Sequence, residues 1–228
     1  MSTKKFKHKF PRRYCPIDYL LCQGLNRQGL GIVKFQGKSF LIEQLLPGEK
    51  ARVVIFYELR NQGFGRAIEL LNTSPERALP LDHPKTKLGV YHLAHLSFAA
   101  QDQFKQSQLE NVFGSKLPPI IVGERTYYRN KVVLSYGGFK APGRYRRQIF
   151  KPDQNTFDLM KIDFNAYPAD QPKYIVRRLE SEIAGPPGTK LTTYDTFLGK
   201  KFRVTLDSFY QINKEMASRV YQLIQTLV

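Results

Sequence analysis

The chain has 228 residues, which is enough for one large or two small domains with a sizeable hydrophobic core. Its hydrophobic fraction of 42% and aromatic fraction of 13% argue against a disordered chain. A formal net charge of +17 indicates a polyanionic partner, and no apolar run approaches the roughly 20 residues that span a bilayer. Nucleic acid is therefore the favoured partner and a membrane is not, with a merely solubilising basic surface as the alternative.

Two cysteines, Cys15 and Cys22, are the only thiols in the sequence. Two thiols cannot cross-link a protein of this size, so a reducing, cytoplasmic location is expected. Neither has a nearby histidine or cysteine at metal-ligand spacing, and both are interpreted as ordinary thiols in or beside a first strand. No secretory signal is expected, because Met1–Arg13 is basic and no apolar segment follows it.

Residues 1–16 form a basic tail that is predicted to be flexible. The tail has no acidic residue, and its cations are Lys4, Lys5, Lys7, Lys9, Arg12 and Arg13. It either lies along a phosphate backbone or keeps the protein soluble, and the sequence leaves both interpretations open.

Residues 17–73 predict a small five-stranded β-barrel of the oligonucleotide-binding type. Turn signals (N-R-Q-G-L-G, Q-G-K and L-P-G-E) separate short segments with alternating or β-branched residues. The predicted strands are 19–22, 31–35, 39–42, 51–57 and 63–70.

Residues 74–203 predict a central α+β domain. A turn at 73–77 precedes a helix over 97–113, and Gly114 fits its C-terminal stop. Strand character returns over 118–151 around the Gly137-Gly138 turn. A second, short helix is predicted over 175–183, ended by the G-P-P-G at 185–188.

The stretch 125–151 is the strongest nucleic-acid signal, because it interleaves eight cations with six aromatic residues and has no acidic residue. Cations neutralise phosphates, and aromatic faces stack on unpaired bases. The alternative is that the aromatic residues are core and the cations are simply solvated. The side chains predicted to contact RNA are Arg125, Tyr128, Arg129, Lys131, Lys140, Arg144, Tyr145, Arg146 and Arg147.

Residues 204–228 predict a strand that leads into Phe209-Tyr210-Gln211-Ile212-Asn213, followed by a helix from Lys214. The helix places apolar residues on one face at i, i+3, i+4 and i+7 spacing. These residues are Ala217, Val220, Tyr221, Ile224 and Leu227.

Asp82, His83, His92 and His95 lie close together in the sequence, as the ligands of a zinc site would. No cysteine is available to complete such a site. We therefore interpret the histidines as surface or core residues and predict no metal.

Five segments together resemble RNA uracil-5-methyltransferases. G-L-G-I-V-K-F-Q-G-K-S-F-L-I-E-Q-L-L-P-G-E-K (29–50) is similar to a TRAM domain, an RNA-binding barrel. The others are S-P-E-R (74–77), H-L-S-F-A-A-Q-D-Q-F-K (95–105), Y-R-N-K (128–131) and S-F-Y-Q-I-N (208–213). The resemblance implies a mixed β and α+β chain: an OB-like (TRAM) barrel, an α+β central RNA-binding domain, and the first strand and helix of a Rossmann-like methyltransferase domain.

That resemblance implies a cytoplasmic enzyme that transfers methyl from S-adenosylmethionine to C5 of a uridine in ribosomal or transfer RNA. Phe209 then lies near the target base, Gln211 contacts both cofactor and uracil, and Asn213 caps the following helix. The glycine-rich cofactor loop, the catalytic cysteine and the general base are expected beyond Val228. No catalytic residue is therefore assigned, the chain alone is predicted inactive, and a separate C-terminal catalytic polypeptide is a possible partner.

The family's iron–sulfur ligands align with Asp82, Leu88 and Tyr91, none of which is a thiolate, so no cluster is expected. The alternative function is a stand-alone TRAM-type RNA-binding protein without enzymatic activity. A ribosome-associated structural protein is a third reading of the same features.

Overall fold

The computed structural model describes residues 16–140 and 149–227, which form two compact units. The first comprises the described residues up to Thr86 together with Tyr91–Ile120. The second comprises Lys87–Val90 and the described residues from Ile121 onward. The predicted domain boundaries after 73 and 203 stay predictions. No helix in the described ranges is long and apolar enough to cross a membrane.

The first unit contains a closed five-stranded barrel, as predicted. Its strands follow the order β1-β2-β3-β5-β4, with β3 and β5 parallel and the other neighbours antiparallel. The strands are β1 (Pro16–Leu25), β2 (Gly31–Phe35), β3 (Lys38–Glu43), β4 (Lys50–Glu58) and β5 (Gln62–Leu70).

Alternation of side chains explains the barrel interior, since every second residue of a strand faces inward. The closure is tight at Gly63, where a Cβ would lie 2.4 Å from the Phe40 ring. Gln36 and Gly37 form the two-residue β2–β3 turn with φ values of 47° and 74°, as a type I′ hairpin requires. The buried core residues are Cys22, Val33, Phe40, Ile42, Leu45, Ala51, Val53 and Ala67.

A buried ion pair joins the L-P-G-E and S-P-E-R segments. Both Glu49 and Arg77 are almost fully buried, and each Glu49 oxygen accepts a 2.7 Å bond from the Arg77 guanidinium. The same guanidinium donates to the carbonyls of Gln44 (2.6 Å) and Leu79 (3.0 Å), and Glu49 also accepts the backbone N–H of Ser74. Both motifs of the resemblance are therefore structural, because they attach the chain that follows the barrel to the barrel itself.

Helix α1 (Phe98–Phe113) begins one residue later than the predicted 97–113 and ends at Gly114 as predicted. The Ser97 hydroxyl accepts the N–H of Ala100, and Gly114 ends the helix with φ 68°. Among the described residues 98–113 of this helix only Ala100 is buried, so α1 lies on the surface. His95, which precedes it, is buried, and burial followed by the nearby Arg77 charge lowers the pKa of His95 to about 4. A short 3-10 helix spans Pro84–Lys87.

The second unit holds seven short strands and one long helix among its described residues. A three-stranded antiparallel sheet has the order β10-β9-β6, and β7 pairs with β8 and β11 with β12. The elements are β6 (Lys131–Leu134), β7 (Phe139–Lys140), β8 (Ile149–Phe150), a 3-10 helix (Phe164–Ala166), β9 (Tyr174–Arg178), β10 (Glu182–Gly185), β11 (Thr192–Phe197), β12 (Lys200–Thr205) and α2 (Lys214–Leu227).

Two predictions for this unit need correction. The helix over 175–183 is wrong, because these residues form the β9–β10 hairpin, in which Arg178 faces Glu182 across a three-residue turn. Strand structure over 118–151 is also less extensive, since 118–130 contains no named strand and β6 to β8 are short. The hairpin turn lies at Tyr136 and Gly137, one residue before the predicted pair.

Candidate nucleic-acid interface

The Y-R-N-K and S-F-Y-Q-I-N segments lie side by side in the second unit. Arg129 and Asn213 form an isolated antiparallel β-bridge. The backbone N–H of Asn130 donates to the carbonyl of Ile212 (3.1 Å), and its side-chain amide donates to the carbonyl of Gln211 (2.8 Å). Asn130 is therefore a structural clamp that holds the backbone of 211–212 against the start of β6.

Arg177 and Lys131 hold the same segment at its other end. Arg177 is fully buried and donates through Nη2 to the carbonyl of Ser208, while Lys131 Nζ lies 3.4 Å from that carbonyl. Burial lowers the pKa of both cations. Their shared acceptor fixes the position of the residue immediately before Phe209.

Tyr210, the residue after Phe209, is anchored as well. Its hydroxyl donates to Asp195 (2.6 Å), and Lys214 donates to the other oxygen of this buried carboxylate (2.7 Å). Burial, followed by the hydrogen bond to Asp195, raises the pKa of Tyr210. The phenol thus remains a neutral donor, and β11 is joined to the start of α2.

Phe209 projects into solvent from this anchored backbone. Its side chain is 85% exposed, the highest value among the large hydrophobic residues of the described chain. Gln211 is exposed too, while its carbonyl is bound by Asn130. Asn213 caps α2 by accepting the N–H of Met216 (3.0 Å). The segment therefore displays two side chains on a fixed backbone, and their predicted roles at base and cofactor stay predictions.

The predicted RNA-contacting cations have different environments. Arg125, Tyr128 and Arg129 are half-buried, whereas Lys140 is exposed. Lys131 is turned toward the carbonyls of Asp207 and Ser208, so its predicted contact with RNA competes with a structural role. Four of the predicted contacts lie outside the described residues: Arg144, Tyr145, Arg146 and Arg147.

Sequence reasoning missed Arg177 and Asp195, the two buried charges behind the Phe209 segment. Arg177 fell within the wrongly predicted helix, and its acceptors are backbone carbonyls, which leave no pattern in a sequence. Thr193 and Asp195 are buried on one face of β11, while Thr192, Tyr194 and Thr196 are exposed, so the strand period was the available signal.

Possible metal and nucleophile sites are limited in the described ranges. No group of three or more His, Cys, Asp or Glu residues there has a geometry that would hold a metal ion. His83 accepts the backbone N–H of Lys85 (3.2 Å). Cys22 lies in the barrel core, where burial raises the pKa of its thiol. A buried, protonated thiol is a poor nucleophile.

The curated relatives of this chain are RNA methyltransferases. No family model matches it. An RNA methyltransferase of Mycoplasma mobile is 28% identical over 211 residues, which cover 89% of this chain and 56% of that protein. The 23S rRNA (uracil(1939)-C(5))-methyltransferase RlmD of Mannheimia succiniciproducens is 35% identical over 117 residues, 49% of this chain and 27% of its own length. The chain thus spans little more than half of the first relative.

A solved structure shares the fold. The Pyrococcus abyssi tRNA (uracil-54, C5)-methyltransferase, crystallised with S-adenosyl-L-homocysteine, superposes with a TM-score of 0.68 over 92% of this chain and 65% of that one. Sequence identity over this superposition is 14%, so the likeness concerns the fold. The relatives, and the motifs noted above, support assignment of the chain to the RNA uracil-5-methyltransferase family.

Proposed function

We propose that this chain is the RNA-binding portion of an S-adenosylmethionine-dependent RNA (uracil-C5)-methyltransferase that acts on ribosomal or transfer RNA. The observation that carries the proposal is the Phe209 segment. An exposed aromatic side chain costs little to present when the backbone on both sides is already fixed, and it can stack on an unpaired base. The fixed neighbours here are Ser208 and Tyr210.

The charge of the chain supports RNA as the partner. A net charge of +17 favours a polyanion, and the barrel is of the type that binds oligonucleotides. In this proposal the barrel is a TRAM domain, and 204–227, which holds the end of β12, the Phe209 segment and α2, opens the methyltransferase domain. Ribosomal RNA is the favoured substrate, and the cytoplasm is the proposed location.

The described residues do not form a cofactor site for S-adenosylmethionine by themselves. Such a site needs a glycine-rich turn from a strand into a helix. The G-P-P-G at 185–188 instead leads from β10 to β11, and the N–H of Gly188 is bound by Asp207 (2.6 Å). Gln211 would contribute one contact at the edge of a site that other residues complete. When bound, the cofactor supplies the methyl group.

A separate catalytic polypeptide is the proposed source of those residues. Ala217 of α2 is buried and Tyr221 packs edge-on against Phe197 with ring centroids 5.5 Å apart. Four further apolar side chains of α2 are 49–77% exposed: Val220, Leu223, Ile224 and Leu227. Burying this stripe against a catalytic domain would remove a large apolar surface from water.

The second candidate function is stand-alone RNA binding without chemistry. It requires no nucleophile, and Cys22, the one cysteine among the described residues, is buried in the barrel core. Both functions predict RNA binding, and they differ only in methyl transfer.

Methyl transfer to bulk RNA from cells lacking the modification separates the two candidates. The purified chain with radiolabelled S-adenosylmethionine is expected to incorporate no label. Label that appears after a homologous catalytic domain is added supports the methyltransferase proposal, and its dependence on Phe209 is checked with Phe209→Ala. Bound RNA without label under both conditions supports the stand-alone binder, whereas label with the chain alone contradicts its predicted inactivity.

A further inference from the structure

A groove in the second unit combines unpaired cations with polar groups suited to a nucleotide. Its volume is about 650 Å³. Neither Lys151 nor Lys161 forms an ion pair with any carboxylate of the described chain. Lys161 and Arg178 lie outside the basic stretch 125–151. The cationic and amide side chains that line the groove are Lys151, Lys161, Arg178, Gln154 and Asn165.

The floor of the groove is rigid. Ile162 and Phe164 are buried, and Phe164 packs edge-on against Phe157 with ring centroids 5.4 Å apart. The Gln154 amide donates to the carbonyls of Phe157 (2.6 Å) and Met160 (3.2 Å), and its oxygen accepts the N–H of Ile162 (2.8 Å). The loop that carries Lys161 is therefore preorganised, which lowers the entropic cost of binding.

Two acids also line the groove, but each is engaged by the backbone of its own turn. Asp153 accepts the N–H of Thr156 (2.7 Å), and Asp163 accepts the N–H of Asn165 (2.9 Å). Arg178 is already paired with Glu182, which leaves two lysines and these two carboxylates in the groove. The lysine ammonium groups are thus the charges available to a ligand.

Tyr127 stands beside Lys161 in a strained conformation. Its φ of 52° lies in the left-handed region, which a bulky residue rarely adopts. Its N–H donates to the carbonyl of Asp158 (2.7 Å), and the Lys161 ammonium lies 5.7 Å from the centre of its ring. The ring is 49% exposed. Strain of this kind persists where surrounding contacts enforce it, and it is common at binding sites.

We infer that this groove binds a single-stranded segment of RNA, with Lys151 and Lys161 on successive phosphates and Tyr127 stacked on an unpaired base. The inference rests on the proposed function and deepens it, because it places unpaired rather than duplex RNA on this face. Stacking tolerates any base, so the groove adds affinity without selecting a sequence.

The test is binding of the whole chain to a labelled single-stranded RNA of about 12 nucleotides, measured by fluorescence anisotropy over a series of salt concentrations. Lys151→Gln/Lys161→Gln is compared with Lys105→Gln/Lys116→Gln, which removes the same charge from exposed positions of the first unit. Tyr127→Asn is compared with Tyr136→Asn. Tyr136 is a close match, with φ 50° and 48% exposure, and Asn tolerates the left-handed region.

The groove lysine variant is expected to reduce the salt slope by about 1.4, at about 0.7 per lost single-strand phosphate contact, and the control pair by clearly less. Tyr127→Asn is expected to weaken binding about fivefold or more at unchanged slope, and Tyr136→Asn to leave it unchanged. If the groove variants and their controls have equal effects on binding, the groove is not an RNA-binding site, and the proposed function is unaffected. An unmodified chain that fails to bind RNA overturns both. Melting curves confirm that each variant is folded, and a substitution that unfolds the chain is replaced by Lys161→Gln alone, which must still lower the slope.

Discussion

Two buried arginines, one in each unit, show how differently the same side chain is used. Arg77 has a bidentate carboxylate and two carbonyls as partners, so each of its guanidinium nitrogens is engaged. Arg177 reaches only backbone carbonyls, and its Nε and Nη1 atoms have no hydrogen-bond partner in the described chain. Arg77 completes the contact between the barrel and the chain that follows it. Arg177 holds the exposed Phe209 segment and has two nitrogens that could donate to further partners.

The surroundings of the two arginines extend this contrast. Arg129 Nε and Asn130 Oδ1 are also buried and have no hydrogen-bond partner among the described residues, and both belong to the segment beside Phe209. A buried polar atom that lacks a protein partner is explained by a functional role, by strain or by a bound water. We therefore expect substitutions around Arg77 to reduce stability and substitutions around Arg177 to act chiefly on the Phe209 segment.

The largest expected effect is that of Arg77→Met on stability. Removing this cation leaves the buried Glu49 carboxylate uncompensated, which costs about 3–5 kcal/mol of unfolding free energy. Denaturant unfolding of the variant measures the loss. The matched control is Arg52→Met in the same barrel, whose solvent-exposed pair with Asp18 should contribute far less to stability. Equal losses of unfolding free energy in the two variants would show that the buried pair of Glu49 and Arg77 stabilises the protein no more than an exposed pair does.

The next largest effect is a loss of stability in acid that depends on His95. Its folded-state pKa is about 4 against an ordinary 6.5, so the unfolded chain binds the extra proton first as the pH falls. The neutral, buried His95 contributes about 3 kcal/mol to the unfolding free energy. This contribution is fully present above pH 6.5 and is lost as the pH falls toward 4. A His95→Gln variant should flatten the pH dependence of the unfolding free energy between these values. The same slope in variant and parent would contradict the buried neutral histidine.

Arg177→Met should destabilise the protein much less than Arg77→Met. Methionine cannot donate to the Ser208 carbonyl, but it also removes two buried nitrogens that have no partner in the described chain. The net loss of unfolding free energy is therefore about 1 kcal/mol. Its main result should be faster amide exchange over residues 206–213, measured by hydrogen–deuterium exchange. Arg203→Met, on the exposed face of β12, is the control and should leave this exchange unchanged. If residues 206–213 exchange equally slowly in the Arg177 variant and in the parent, Arg177 does not hold this segment in place.

The elements that sequence predicted well are those with local causes. Alternating side chains and turn residues are sufficient for the barrel, and Ser97 and Gly114 mark both ends of α1. The β9–β10 hairpin was missed because Ile175, Leu179 and Ile183 recur every four residues and mimic a helix face, although β-branched residues and the 179–181 turn produce a hairpin. The Phe209 site depends on Asn130 meeting Gln211 across 81 residues, and local patterns carry no information about that pairing.

The central claim is that Phe209 is displayed to contact RNA, and its most direct test is the affinity of Phe209→Ala for unmodified ribosomal RNA. The control is Phe202→Ala, another exposed phenylalanine, on β12. Loss of one stacked base should weaken binding by about 1–3 kcal/mol without changing stability, because the ring is 85% exposed. The Phe202 variant should bind like the parent. Unchanged affinity in Phe209→Ala, with the parent chain binding RNA, would contradict the account.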